Sequence, residues 1–425
     1  MPENSEPTHR GRAERCVLVA LDLPDGEWPV EESLDELSRL AESAGAVECG
    51  RVVQVRSHPD PAHFIGSGKL EELVECCKAV EADLVIFDDE LTPAQARNLE
   101  KALQIKVLDR TQLILDIFAQ RAKTKEGKLQ VELAQLRYLL PRLSGVGTAL
   151  SRLGGGIGTR GPGETKLEVD RRRIRSRMAD IRRELEDVRR RREVQREGRR
   201  QFQAFVAALV GYTNAGKSTL LNALTGADVY ADDRLFATLD PTVRQVSLPK
   251  GGSLFVVDTV GFIRKLPHDL VAAFRATLEE VTEADVLIHV VDLSSPEWYE
   301  QSAAVYKVLG ELGALSKPIV TAFNKVDLVD PAVVLGTITR TKKCVAVSAK
   351  TGEGLRTLLE LVEAEAPDPI VQWEFHIPYA DAHVASWIHE NGRVLREEYA
   401  GDGIRLEALL RRPLAGRVLA YRAER

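Results

Sequence analysis

Apolar positions along the chain follow two periodicities. Short β-branched runs at Val17–Leu21, Val52–Val55, Leu84–Phe87 and Lys106–Leu108 predict strands. The spacing in Ser33–Ala44, Lys69–Ala82 and Pro93–Leu103 between them predicts helices. Such alternation argues for a small α/β domain on a largely parallel sheet. The pattern then changes. Leu129, Leu133, Leu136, Leu140 and Leu143 step by four and three, the seam of a coiled coil. A second seam runs through Leu167, Ile174, Met178, Ile181, Leu185 and Val188, interrupted by Arg171. Either stripe alone would face water, and folding the two helices as an antiparallel hairpin buries both. A second α/β alternation begins at Phe205 and runs to about Ala364, with strands at Phe205–Val210, Leu254–Val257, Val286–Val291, Pro318–Phe323 and Val345–Val347. Asp368 and Pro369 mark a boundary, and the tail beyond has the composition of a small α/β appendage.

Charge sets one segment apart. The whole chain of 425 residues carries a formal net charge of −6, yet Arg160 to Arg200 holds 16 Lys/Arg against 9 Asp/Glu. That local excess of +7 leaves −13 on the rest, so one helix of the hairpin is chemically unlike its surroundings. The loop joining the two seams, residues 144–164, contains eight glycines and Pro162. A flexible linker would also be glycine-rich, but it has no need of Arg152, Ile157 or Arg160. Glycine permits close backbone approach to a ligand and arginine contacts phosphate, so this loop reads as a probe at the hairpin tip. No uncharged apolar stretch reaches the roughly 18 residues that span a bilayer. Met1 to Glu14 is polar and lacks the apolar core of a secretory signal. Five scattered cysteines suit a reducing cytoplasm rather than a disulfide framework, and none has zinc-site spacing.

The chemistry concentrates in the second α/β region. Gly211, Tyr212, Thr213, Asn214, Ala215, Gly216, Lys217 and Ser218 fit the phosphate-binding pattern G-x-x-x-x-G-K-S, between an apolar strand and an apolar helix, Thr219–Leu224. Glycines let backbone N–H groups wrap the phosphates at a helix N-terminus, Lys217 adds charge at the outer phosphates, and the Ser218 hydroxyl suits Mg²⁺. Asp258, Thr259, Val260 and Gly261 close a strand, where the carboxylate can support the Mg²⁺ shell and the Gly261 N–H can meet a γ-phosphate. Asn324, Lys325, Val326 and Asp327 close another, placing a carboxylate to accept N1–H and N2–H of guanine, a donor pair that adenine lacks. Ser348, Ala349 and Lys350 would lay a backbone N–H against the guanine O6. Between these motifs, Phe236, Ala237, Thr238, Leu239 and Asp240 lie where a mobile switch loop belongs, with Thr238 and Thr242 both able to complete Mg²⁺ coordination. The four elements in register point to GTP and exclude an ordinary ATP kinase. Lys217, Thr238 and Gly261 are the candidate catalytic groups, and Ser218 and Thr238 the candidate metal ligands. Asn214 could hold a K⁺ ion beside the phosphates or simply stabilise the loop turn. Gly66-Ser-Gly-Lys69 could be taken for a second nucleotide loop, but it lacks the lead of a true one, and a turn opening a helix explains it.

The runs Phe236-Ala-Thr-Leu-Asp-Pro-Thr242, Asp258-Thr-Val-Gly-Phe262 and Gly154-Gly-Gly-Ile-Gly-Thr-Arg-Gly-Pro-Gly-Glu-Thr-Lys166 together resemble the HflX family of bacterial GTPases. Phe64-Ile-Gly-Ser-Gly-Lys69 and the passage from Asp109-Arg-Thr111 into Lys128-Leu-Gln-Val-Glu-Leu-Ala-Gln135 extend the likeness, which covers roughly Val17 to Ala364. The resemblance selects Thr238 over Thr242. It implies an α/β fold class: a small N-terminal α/β domain (1–124), an antiparallel coiled-coil hairpin (125–202), a Ras-like P-loop GTPase domain (203–367) and a C-terminal appendage (368–425). It also implies a cytoplasmic, monomeric factor that binds GTP and GDP with Mg²⁺, docks on the large ribosomal subunit and its RNA, and dissociates stalled or idle ribosomes under stress. Relatives are suspected of ATP binding in the N-terminal domain. Two other readings are an RNA-remodelling, helicase-like protein driven by ATP and regulated by GTP, and a non-catalytic assembly or hibernation factor. Phe262 stands where many GTPases place a water-orienting glutamine, so intrinsic hydrolysis is expected to be slow and completed by a partner.

Overall fold

The computed structural model describes residues 13–24, 28–143, 166–201, 205–226, 235–236, 238–249, 253–265, 275–365 and 370–423. They form two compact units. One comprises residues 1–185 together with 265–273, and the other comprises residues 186–264 and 274–425.

In the first unit, strands β1 (Glu14–Asp22), β2 (Ala46–Val55), β3 (Leu84–Phe87) and β4 (Lys106–Asp109) make an all-parallel sheet in the order β2-β1-β3-β4. All four residues of β3 are buried, as a continuous apolar run in a parallel sheet requires. The helices are α1 (Val30–Ala44), α2 (Ser67–Ala79), α3 (Pro93–Leu103) and α4 (Arg110–Arg121). Helix α3 starts where its sequence dictates: the Thr92 side chain accepts from the Gln95 N–H, Gln95 reaches back to the Thr92 N–H, and Pro93 opens the first turn. Gly66 is the N-terminal cap of α2, with its own N–H donated to Gln54 Oε1, which fits the turn reading of Gly66–Lys69.

Helix α5 (Lys125–Arg142) and the 36-residue α6 (Lys166–Gln201) form the expected antiparallel pair. Leu129, Leu133, Met178 and Ile181 are buried together, with Leu136, Leu140, Ile174 and Leu185 packed against them. Leu143 and Val188 lie outside this cluster, so the seam is shorter than its periodicity suggests. Ion pairs from Lys125 to Glu184 and from Glu132 to Arg177 cross between the helices in the antiparallel register. The glycine-rich stretch 144–164 lies outside the described residues.

The second unit carries a six-stranded sheet of β5 (Phe205–Gly211), β6 (Thr242–Ser247), β7 (Ser253–Asp258), β8 (Val286–Asp292), β9 (Ile319–Asn324) and β10 (Cys344–Ala346). Its order is β10-β9-β8-β5-β7-β6, parallel throughout except for β6, which runs antiparallel to β7. Packed on it are α7 (Lys217–Thr225), α8 (Arg275–Glu283), α9 (Trp298–Glu311), α10 (Pro331–Ile338) and α11 (Leu355–Glu365). Strand β6 is new relative to the sequence reading. The C-terminal segment forms an antiparallel sheet in the order β11-β13-β12, from β11 (Ile370–Ile377), β12 (Arg393–Ala400) and β13 (Gly403–Arg411), with α12 (Ala382–Asn391) packed on it. All five cysteines are free thiols.

Candidate nucleotide site

The phosphate loop leaves β5 at Gly211 and enters α7 at Lys217. Its backbone is pressed against neighbours that admit no side chain: a Cβ on Gly211 would lie 2.3 Å from the Val290 carbonyl oxygen, and one on Gly216 would lie 2.3 Å from Asn324 Nδ2. Asn214 is exposed and left-handed, with φ of 60°, a conformation asparagine tolerates better than most residues. The Lys217 ammonium is buried and donates to the carbonyls of Tyr212 (2.8 Å) and Gly211 (3.2 Å). Burial pulls its pKa down to about 8, against a smaller opposing pull from Asp258. A lysine held in that state gains most from a phosphate dianion.

Three oxygens converge at the start of α7. Ser218 Oγ donates to Asp258 Oδ2 at 2.6 Å, Thr238 Oγ1 donates to the same oxygen at 2.9 Å, and the two hydroxyls lie 2.8 Å apart. The second carboxylate oxygen, Asp258 Oδ1, is buried with no hydrogen-bond partner among the described residues. Burial raises the Asp258 pKa in spite of the two hydroxyls. A buried carboxylate with a spare oxygen beside two hydroxyls is a hard donor set, and it fits Mg²⁺. Thr242 opens β6 and pairs in register with Asp258, so of the two threonines only Thr238 brings its hydroxyl to this cluster.

The base-reading loops are tied to the phosphate loop by one side chain. Asn324 Nδ2 donates to the Ala215 carbonyl at 2.9 Å, and Asn324 Oδ1 accepts from the Ala349 N–H at 3.0 Å. Asp327 is exposed, with Oδ1 accepting from Ser348 Oγ at 2.7 Å, so the two carry each other. Lys325 is left-handed (φ 62°) and pairs with Asp292 at 2.6 Å, Val326 is buried, and Lys350 is exposed.

Other predicted residues serve as walls. Phe236 and Leu239 are buried, and Asp240 is half-buried. Thr259 is fully buried with its hydroxyl spent on the Leu209 carbonyl at 2.6 Å, Val260 is buried, and Ala237 lies outside the described residues. Gly261 has no room for a side chain, since a Cβ would come within 2.9 Å of Lys217 Nζ and of Thr213 Cα.

Sequence reasoning missed the brace behind the loop. Phe262 donates its N–H to the Gly211 carbonyl (3.1 Å) and accepts from the Thr213 N–H (2.8 Å), while its ring is buried. The Tyr212 hydroxyl accepts from the Arg264 N–H at 2.9 Å, and the Arg264 guanidinium pairs with Glu297. The signal available was the aromatic pair Tyr212 and Phe262, each adjoining a glycine of the motif.

Four family descriptions match the chain: "GTP-binding GTPase N-terminal" over residues 31–119, "GTP-binding GTPase Middle Region" over 121–199, "50S ribosome-binding GTPase" over 206–325 and "HflX C-terminal domain" over 334–413. The chain is similar to the curated protein "GTPase HflX" of Caldanaerobacter subterraneus subsp. tengcongensis, with 52% identity over 93% of this chain and 90% of that protein. It is also similar to "GTPase HflX" of Lacrimispora saccharolytica, with 51% identity over 93% of each. Among solved structures, a complex of SsGBP with GDP aligns over 83% of this chain and 98% of its own, at 25% identity and a TM-score of 0.47.

Proposed function

The chain belongs to the HflX family of GTPases, and from that premise we propose that it uses GTP hydrolysis to control its docking on the large ribosomal subunit and the separation of stalled or idle ribosomes into subunits. It is a GTP-hydrolysing enzyme; the ribosomal work and the roles of individual residues are our reading. Lys217 places positive charge at the outer phosphates, and the Gly261 N–H donates to the γ-phosphate. Ser218 and Thr238 hold Mg²⁺, with Asp258 in support. When bound, the ion neutralises charge on the β- and γ-phosphates. Asp327, steadied by Ser348, reads the guanine edge. Asn324 keeps base and phosphate recognition in register. The other phosphate-loop, switch and base-loop positions from Gly211 to Lys350 line the nucleotide.

The buried ring at Phe262 has no group to orient water, so a complete hydrolytic site draws on a partner. A K⁺ ion at Asn214 is a second contribution of the same kind. Turnover in KCl and NaCl at matched ionic strength tests it, and equal rates would end the idea.

The observation that carries the ribosomal reading is the hairpin. Helix α6 exposes Arg172, Arg173, Arg175, Arg182, Arg183, Arg189 and Arg190 to solvent, and the glycine-rich stretch 144–164 precedes it. A basic rod beside a segment of minimal side-chain bulk suits the phosphate backbone and shape of structured RNA. The test is GTP turnover with and without purified ribosomes, on the full chain and on one lacking residues 144–164, with subunit separation followed by light scattering. Ribosome-stimulated turnover, with splitting that requires the deleted stretch, is the expected result. Flat scattering with unstimulated turnover would leave a GTPase without this partner. Tight GTP-dependent binding without splitting would instead favour the hibernation reading.

A further inference from the structure

The hydroxyls around the nucleotide site are nearly all spent. Ser218 and Thr238 donate to Asp258, Thr259 to the Leu209 carbonyl, and Ser348 to Asp327. Thr213, the third residue of the phosphate loop, is the exception. It is 7% exposed, and its Oγ1 is buried with no hydrogen-bond partner among the described residues. A hydroxyl withdrawn from water without a partner destabilises the folded chain, and an isosteric valine would fill the same volume without that penalty. A threonine retained in such a place calls for a use.

The backbone fixes where this side chain stands. The Thr213 N–H donates to the Phe262 carbonyl at 2.8 Å, and the Phe262 N–H donates to the Gly211 carbonyl at 3.1 Å. Thr213 is therefore held beside the position from which many GTPases extend a water-orienting glutamine, and which this chain gives to a phenyl ring. The two groups assigned to the γ-phosphate are its neighbours. A Cβ on Gly261 would lie 2.9 Å from each of Thr213 Cα, Thr213 Cγ2 and Lys217 Nζ. The threonine side chain, the Gly261 backbone and the Lys217 ammonium thus converge, all within the compact unit of residues 186–264 and 274–425. Branching at Cβ restricts the rotamers of threonine, so little freedom is lost when the hydroxyl is engaged.

We propose that Thr213 is a catalytic residue for intrinsic GTP hydrolysis. Its hydroxyl accepts a hydrogen bond from the attacking water and donates one to a γ-phosphate oxygen, aligning the two. The water oxygen bonds to the γ-phosphorus as the bond from that phosphorus to the bridging oxygen breaks. GDP leaves with the bridging oxygen, and inorganic phosphate carries the water's oxygen and protons. The threonine ends unchanged, and what a partner supplies comes on top of this basal alignment. The proposal rests on the reading of Lys217 and Gly261 given above.

The test uses the full chain without ribosomes. Single-turnover GTP hydrolysis, GDP affinity and thermal unfolding are compared for wild type, Thr213→Val, Thr213→Ser and Lys217→Ala. Thr213→Val should slow the single-turnover rate at least about tenfold, since removing one hydrogen bond aimed at the reacting groups carries penalties of that order or more. Kd for GDP, which has no γ-phosphate, should stay within about twofold, which separates chemistry from binding. The unfolding temperature should hold or rise, because valine buries no hydroxyl. Thr213→Ser should restore most of the rate. A wild-type rate in Thr213→Val, with Lys217→Ala inactive, would overturn the role of Thr213 while leaving that of the phosphate loop. A wild-type rate in Lys217→Ala would overturn the underlying reading instead. Parallel loss of rate, GDP affinity and thermal stability in Thr213→Val, or a serine variant as slow as the valine, would reduce the hydroxyl to a structural contact and overturn the proposal.

Discussion

Both units end parallel strands in buried carboxylates, and the two ends have opposite electrostatics. At the end of β7, Asp258 accepts from two hydroxyls, keeps one oxygen without a hydrogen-bonding side chain among the described residues, and has its pKa raised because burial outweighs those hydroxyls and the pull of Lys217. Beyond β3, Asp88 is equally buried, but Arg110 and Lys265 outweigh burial and hold its pKa below the usual carboxylate range. Asp109, at the end of β4, accepts from Arg142 at 3.0 Å and from the Leu91 N–H at 3.1 Å, and its other oxygen caps α4 through the Gln112 N–H. Helix α5 is anchored there, with the Arg142 guanidinium 3.4 Å above the Tyr138 ring. At one sheet burial prevails over the charges around the carboxylate, and at the other the guanidinium and ammonium groups prevail over burial. Similar topology therefore does not imply a similar site.

Substitution gives the largest contrast. Arg110 is 2% exposed between Asp88 and Glu36, and Arg110→Met would remove the buried guanidinium that the two carboxylates share. A loss of about 3–5 kcal/mol is expected in the chemical unfolding of the first unit. Asp258→Asn should leave the midpoint of the nucleotide-free second unit unchanged or raised, because burial disfavours the charge it removes more than the neighbours favour it. Equal destabilisation by both variants would erase the distinction.

Acid should separate the units next. His289, in β8, is buried with Nδ1 unpartnered among the described residues, and burial, with a smaller push from Lys217, takes its pKa down to about 4. Its neutral form is the native one, so stability is full above the unfolded value of about 6.5 and declines as pH falls toward 4, by about 3 kcal/mol in all. Asp88 has a depressed pKa, so its contribution persists until pH falls below about 3.9. The second unit should therefore weaken first on acidification, and His289→Gln should flatten its decline between pH 6.5 and 4. An unchanged slope in that variant would assign the decline to other groups.

The smallest effect concerns affinity. Phosphates should raise the Lys217 pKa from about 8, so GTP binding takes up a proton where the free amine is neutral. Affinity should be complete below pH 8 and fall as pH rises, by up to about tenfold per unit. Calorimetry in buffers of differing ionisation enthalpy reads the uptake directly, and its absence near pH 9 would mean the free lysine is already charged there.

Legibility in the sequence tracked the range of the interactions. Leu84–Phe87 and Pro93–Leu103 are found at their predicted bounds, because a fully apolar run and a Thr92–Gln95 capping box are local signals. The phosphate-loop and base-reading motifs are each contiguous runs that can be read one at a time, whereas the Asn324 side chain that ties them together spans 109 residues of chain. Strand β6 was not legible, because Thr242–Ser247 buries only Val246 at a sheet edge. Helix α4 was not, since its first residue is an arginine that reads as surface until Asp88 and Glu36 surround it. Nothing local marks Lys265 either: its partners lie 176 and 177 residues away.

That separation matters while the chain is being made. The first unit is discontinuous in sequence, so a protein synthesised from its N-terminus exposes Asp88 and Asp89 long before their lysine exists. At 5–20 residues per second the interval is roughly 9–35 s, ample for the sheet to form and wait with one carboxylate cluster incomplete. The first unit therefore completes this carboxylate cluster only once the phosphate loop and Gly261 have also been made, and before the base-reading loops at Asn324 and Ser348 exist.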